Sequence, residues 1–154
     1  MDIYKEWKNG RLPIINGILF ESGAIDWIRI RFDSAFHRVI DGVSRISISD
    51  IMSSGDINFS TISTCYQISD SKNNVRAYCG GGSYGSEGYV VVESEIDSEL
   101  LWIAFFEEAN PFERIEISDD NISVYNNLRE RWTFDINNPA NLSISLQVTN
   151  TNDL

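Results

Sequence analysis

The stretch that decides the fold is Tyr89-Val90-Val91-Val92-Glu93-Ser94-Glu95-Ile96-Asp97-Ser98-Glu99-Leu100-Leu101-Trp102-Ile103-Ala104-Phe105-Phe106. Two uninterrupted apolar runs flank a segment in which acids occupy every second position. β-branched and aromatic residues dominate both runs, and their lengths suit strands buried on both faces. The second run, 100–106, also fits a buried helix, because periodicity does not separate the two for a fully apolar segment. Between the runs, Glu93, Glu95, Asp97 and Glu99 form either one charged strand face or the crowded tip of a hairpin. In an extended chain, side chains two apart project to the same side about 6.6–7 Å from each other.

Outward from this centre, alternation outweighs helical spacing. Residues 25–32 place Ile28, Ile30 and Phe32 on one side and Trp27, Arg29 and Arg31 on the other. Strands are expected at 14–20, 43–51, 57–68, 75–79, 115–117, 122–125, 131–136 and 142–148, separated by Gly-, Asn- and Asp-rich turns. A flexible glycine loop is expected over 80–88. Short helices fit Ile3–Lys8 and residues 33–40, where Asp33 or Ser34 would cap. The expectation is one mainly β domain over residues 1–154. It would be an antiparallel β-sandwich or partly open barrel of about ten short strands, with one or two short helices. At 154 residues the chain can bury an ordinary core without disulfides or metal.

The formal net charge is −11, and its distribution is lopsided. Between Glu87 and Asp120 eleven acids face a single base, Arg114, whereas residues 1–86 balance. Such a field attracts cations and opposes nucleic acid and anionic membrane surfaces, both of which are polyanions. The expected partner is a basic protein. Expected contacts are Glu93, Glu95, Asp97, Glu99, Glu107, Glu108, Glu113, Glu116, Asp119 and Asp120, with Phe112 and Tyr125 as desolvated aromatic anchors. A solvated turn with edge-protecting charges is the bland alternative for 93–99, and a polar connection with Phe112 tucked inward is that for 107–113.

No catalytic or metal motif is expected, and no cofactor. Gly81-Gly82-Ser83-Tyr84-Gly85 has the letters of a nucleophile elbow, yet a strand follows it and the only histidine, His37, precedes it. One histidine without a nearby cysteine is a poor zinc site, and Ser118-Asp119-Asp120-Asn121 lacks calcium-loop spacing. Cys65 and Cys79 read as two reduced, semi-buried strand residues, a disulfide being the alternative for an exported protein. The opening residues show no basic stretch leading into an apolar one, and the longest apolar run is far short of the roughly 20 residues that span a bilayer. A cytoplasmic protein is the expectation.

In size, acidity and strand-rich pattern the chain resembles a bacterial immunity protein, the antidote of a polymorphic or contact-dependent growth inhibition toxin. Residues 101–112, Leu-Trp-Ile-Ala-Phe-Phe-Glu-Glu-Ala-Asn-Pro-Phe, are similar to strands of such antidotes. The resemblance implies a non-enzymatic protein that binds a basic toxin nuclease and blocks its active site. It assigns no residue. A small-ligand or carbohydrate-binding β-sandwich is the competing reading, and it would show a concave aromatic cluster with convergent polar groups.

Overall fold

A computed structural model describes residues 2–55 and 57–147. Every strand pairing in it is antiparallel. The elements run α1 (Ile3–Lys8), β1 (Arg11–Pro13), β2 (Gly17–Phe20), β3 (Ala24–Phe32), β4 (Arg38–Ser47), α2 (Ile48–Ser54), β5 (Phe59–Asp70) and β6 (Val75–Gly82). After these come β7 (Gly88–Ser94), β8 (Leu100–Phe106), β9 (Phe112–Ser118), β10 (Asn121–Asn126), β11 (Glu130–Asp135) and β12 (Asn138–Leu146). Eight strands form one sheet in the order β1-β5-β6-β7-β8-β2-β3-β4, and four form a second in the order β12-β11-β10-β9. β9 lies against β5 and β6 while β12 lies against β4, so the sheets approach each other along both borders.

The absence of alternation in β7 and β8 now has a cause. These are the two middle strands of the large sheet, and both of its faces are covered there. On one face Val90, Val92, Trp102, Ala104 and Phe106 meet Phe112, Ile115, Val124, Trp132 and Phe134 of the small sheet. On the other, Tyr89, Val91, Ile103 and Phe105 share a second core with Trp7 of α1 and with Ile48 and Ile51 of α2. The run 100–106 is therefore a strand. In the small sheet Ile122, Val124, Trp132 and Phe134 point inward; β11 keeps the alternation, while β10 also buries Ser123 and Tyr125 on its outer face.

Three local expectations are corrected. Residues 33–40 form a turn and the start of β4, not a helix: the Asp33 carboxylate accepts the Ala35 and His37 amides, both at 2.9 Å, and closes the β3–β4 hairpin. The segment expected as one strand over 43–51 stops at Ser47, whose hydroxyl accepts the Asp50 amide at 3.1 Å and starts α2. The glycine loop is shorter than expected, because β6 continues through Gly82. That continuation needs Gly80, since a Cβ there would lie 1.9 Å from the Ser63 carbonyl oxygen, beside the bulge in β5. Cys65 is exposed and Cys79 buried, and both are free thiols. The final strand ends at Leu146, and Val148 lies outside the described residues. No described helix is long and apolar enough to cross a membrane.

Candidate functional site: an acidic pole

An antiparallel sandwich gathers every second connection at the same end. At one end here lie the turns β2–β3, β5–β6, β7–β8, β9–β10 and β11–β12, together with the N-termini of α1 and α2. Hydrogen bonds tie them into one surface. The Glu95 amide bonds the Asn74 carbonyl at 2.8 Å, Asn73 Nδ2 bonds the Asp119 carbonyl at 2.6 Å, and the Ile136 amide bonds the Asp120 carbonyl at 2.8 Å. The Ile48 amide bonds the Gly23 carbonyl at 2.9 Å, which brings α2 to the same end.

These connections and caps carry Asp2, Glu21, Asp50, Asp70, Glu95, Asp97, Glu99, Asp119, Asp120 and Asp135. Lys72 is the only base within the turns, and it lies 3.2 Å from Asp119. The nearby guanidinium groups are already committed, Arg45 to Asp26 at 2.8 Å and Arg76 to Glu93 at 3.2 Å. The acid-rich segment thus supplies only part of this pole. The rest comes from turns elsewhere in the chain, whose acids were diluted by neighbouring bases in the sequence; of the bases in these turns only Lys72 accompanies them.

The β7–β8 turn is a rigid presentation of charge. Ser94 and Glu99 close it through an amide-to-carbonyl bond of 2.8 Å, the Ser98 amide bonds the Ser94 carbonyl at 3.0 Å, and Ser98 takes φ +61°. The Asp97 carboxylate accepts the Glu99 amide at 3.0 Å, and this bond, aided by the Ser94 hydroxyl, holds its pKa below the usual carboxylate value. Ile96 stands 78% exposed at the tip, amid carboxylates. Beside the turn runs a groove of about 640 Å³ whose floor is Ile3, Tyr4, Gly23, Ile48 and Leu100 and whose rim is Asp2, Glu21, Asp97 and Glu99.

Not all residues expected at the site are there. Glu93 is 1% exposed and held inside by Arg76, by the Tyr78 hydroxyl at 2.7 Å and by Lys8 at 3.7 Å. Its side chain points to the α1 side, whereas the rest of the alternating series belongs to the turn. Phe112 is fully buried edge-on against Trp132, and Tyr125 is 8% exposed beneath Arg114, 4.0 Å from the ring centre. Neither aromatic is an exposed anchor, because Phe112 starts a strand whose inward face is core. Glu116 is occupied by Arg114 and by the Tyr125 hydroxyl, and those two bonds lower its pKa. Glu107 and Glu108 follow β8 at its far end, about 20 Å from the turn at roughly 3.3 Å per residue, and Glu113 begins β9 at that same end. Of the expected contacts, Glu95, Asp97, Glu99, Asp119 and Asp120 are brought together. Glu21, Asp70, Asp135 and Ile96 were missed. The signal that would have found them is that alternate hairpin turns of an antiparallel sheet share an end.

The other end is electrically mixed. Arg38 pairs with the buried Glu130 at 2.8 Å and bonds the Glu108 carbonyl at 2.8 Å, while Asn16 Nδ2 donates to the Glu107 carboxylate at 2.8 Å and its Oδ1 accepts the Glu107 backbone amide at 2.9 Å. Ser83, of the elbow-like letters, sits with Ser60 and the buried Glu87. His37 belongs to the turn before β4, at the opposite border of the large sheet from β5. Among the described residues no three His, Cys, Asp or Glu side chains gather as metal ligands. Comparison of the chain with protein-family models, with curated proteins and with solved structures finds no match.

Proposed function

We propose that this protein is a non-enzymatic binder that neutralises a basic protein by docking it on the acidic pole. The observation that carries the reading is the convergence at one end of carboxylates from five turns and two helix caps, with Lys72 the only base in those turns. A concentrated anionic surface steers a cationic partner, raising association towards about 10⁸ M⁻¹s⁻¹ at low salt, and it repels nucleic acid. The acid-rimmed groove with its apolar floor suits a long cationic side chain, whose methylene stem needs apolar cover and whose head needs carboxylates. Ile96 replaces Phe112 and Tyr125 as the apolar contact. The resemblance to immunity proteins supplies the partner class, a toxin domain whose Lys and Arg residues otherwise hold nucleic acid.

A glycan or small-ligand module would favour an aromatic platform. Trp102 and Trp132 are core residues, and the exposed Trp27 and Phe32 stand on opposite faces of β3, which offers a poor stacking surface.

The test is a triple reversal, Glu95→Lys with Asp97→Lys and Glu99→Lys, on an exposed turn. Against a basic partner captured from the native host, association at low ionic strength should slow at least about tenfold, and the difference should shrink with added salt. Equal association rates for the two proteins would remove the proposal.

A further inference from the structure

The large sheet lacks part of one strand. β2 pairs with β3 from Leu19 opposite Ile25 to Gly17 opposite Trp27, and a last bond joins the Ile28 amide to the Asn16 carbonyl at 3.0 Å. There Asn16 takes φ +52° and β2 ends, while β3 runs on to Phe32 with β4 as its only registered neighbour. Hydrogen-bonding direction alternates along a strand. The Ile28 amide points to the β2 side, and the Asp33 amide points to His37 on the β4 side. Ile30 and Phe32 therefore aim their backbone N–H and C=O groups at the space where β2 would have continued.

That space is a hollow of about 410 Å³. Trp27 borders it from one face of β3, and Ile28, Ile30 and Phe32 border it from the other. A hollow touched by both faces of one strand lies along its edge. The opposite wall is Phe106, Glu107 and Glu108 at the end of β8. β8 stands two positions from β3 in the sheet, so the gap is about one strand wide at roughly 4.8 Å per spacing.

We propose that this slot takes an extended peptide segment of a partner protein, added as a strand along β3. Backbone groups aligned on an open edge call for another main chain. Apolar walls call for apolar side chains at alternate positions. Glu107 and Glu108 are exposed and form no ion pair among the described residues, so a basic side chain suits the β8 wall. Arg38 and Arg29 also border the hollow, but both are engaged: Arg38 bonds Glu130 and the Glu108 carbonyl, and the Arg29 guanidinium lies over Gly42 of β4, which leaves the Glu107 and Glu108 carboxylates without an ion-pair partner among the described residues. The slot is at the opposite end from the acidic pole and does not depend on it.

The probe is an acetylated, amidated Val-Lys-Val-Lys-Val peptide, compared with the same peptide N-methylated at alternate residues. Amide NMR of the full chain reads the site. In the free protein the Ile30 and Phe32 amides should exchange rapidly with solvent, and the unmodified peptide should shift and protect them. The methylated peptide, lacking the ladder donors, should bind at least tenfold more weakly, as should the unmodified peptide to a Glu107→Lys, Glu108→Lys variant. Ile30→Pro, which removes a slot-facing donor together with a side chain packed against the core, should abolish protection at that edge, with circular dichroism reporting its fold. The reversal of Glu95, Asp97 and Glu99 should leave the titration unchanged, which separates failure here from failure at the pole. Equal binding of the two peptides, or no β3 shifts at millimolar peptide, would overturn the proposal. So would concentration-dependent pairing of two copies through this edge.

Discussion

Single residues show where burial has been made to tolerate charge. Arg38 and Glu130 are each 8% exposed in the side chain and meet through two short hydrogen bonds, while Asn126 Nδ2 at 2.8 Å and Trp132 Nε1 at 3.3 Å also bond the carboxylate. Removing one partner of such a pair strands the other, at about 3–5 kcal/mol. Glu130→Ala is therefore expected to lower chemical-denaturation stability by about 3 kcal/mol, and Arg38→Met with Glu130→Leu to cost less than that single change. Burial also sets the alkaline limit. The Cys79 thiol is pushed up to about 12, and the Tyr78 phenol likewise to about 12 by burial and then by Glu93. Both ionise earlier in the unfolded chain, so stability is fully present below the unfolded values and declines as pH rises from about 9 towards 12. Thermal melts should be flat near neutrality and fall above that point, with a shallower fall in Cys79→Ala. At this scale the sequence was least legible. Glu93 and Glu95 look alike in it, and only the pairing with Arg76 and Tyr78 reveals that one is interior and the other on the turn.

Elements were read better where burial patterns were extreme. The apolar runs of β7 and β8, the alternation of β3 and α1 all emerge from residue order, because each is dictated by which faces meet core. α2 did not, since Ile46-Ser47-Ile48-Ser49 alternates like a strand. The overriding signal was local: Ser47 three residues before Asp50, followed by Ile48 and Ile51 at helical spacing against the second core. The β3–β4 turn failed for the converse reason, as Asp33 caps a hairpin as readily as a helix. Close strand approach makes its own demand. Gly80→Ala would drive a methyl into the Ser63 carbonyl, and destabilisation above about 2 kcal/mol is expected in urea titrations, through displacement of the β5 bulge.

For the molecule as a whole, the decisive property is which turns share an end. Charge counting along the chain located an acidic segment, 87–120, yet the two ends of β8 separate Glu99 from Glu107, and acids from distant turns complete the pole. Self-repulsion there has a measurable cost. Melting temperature should rise with moderate salt, and the rise should be smaller in the triple reversal at Glu95, Asp97 and Glu99, because fewer like charges remain to screen.

The strands that carry the acidic turns away from the β3 slot have a further consequence. A body seated against one end of the barrel leaves the far end in open water, so occupancy of the two places need not compete. The two proposed docking places are therefore compatible, since the length of β8 leaves room for a guest at each end.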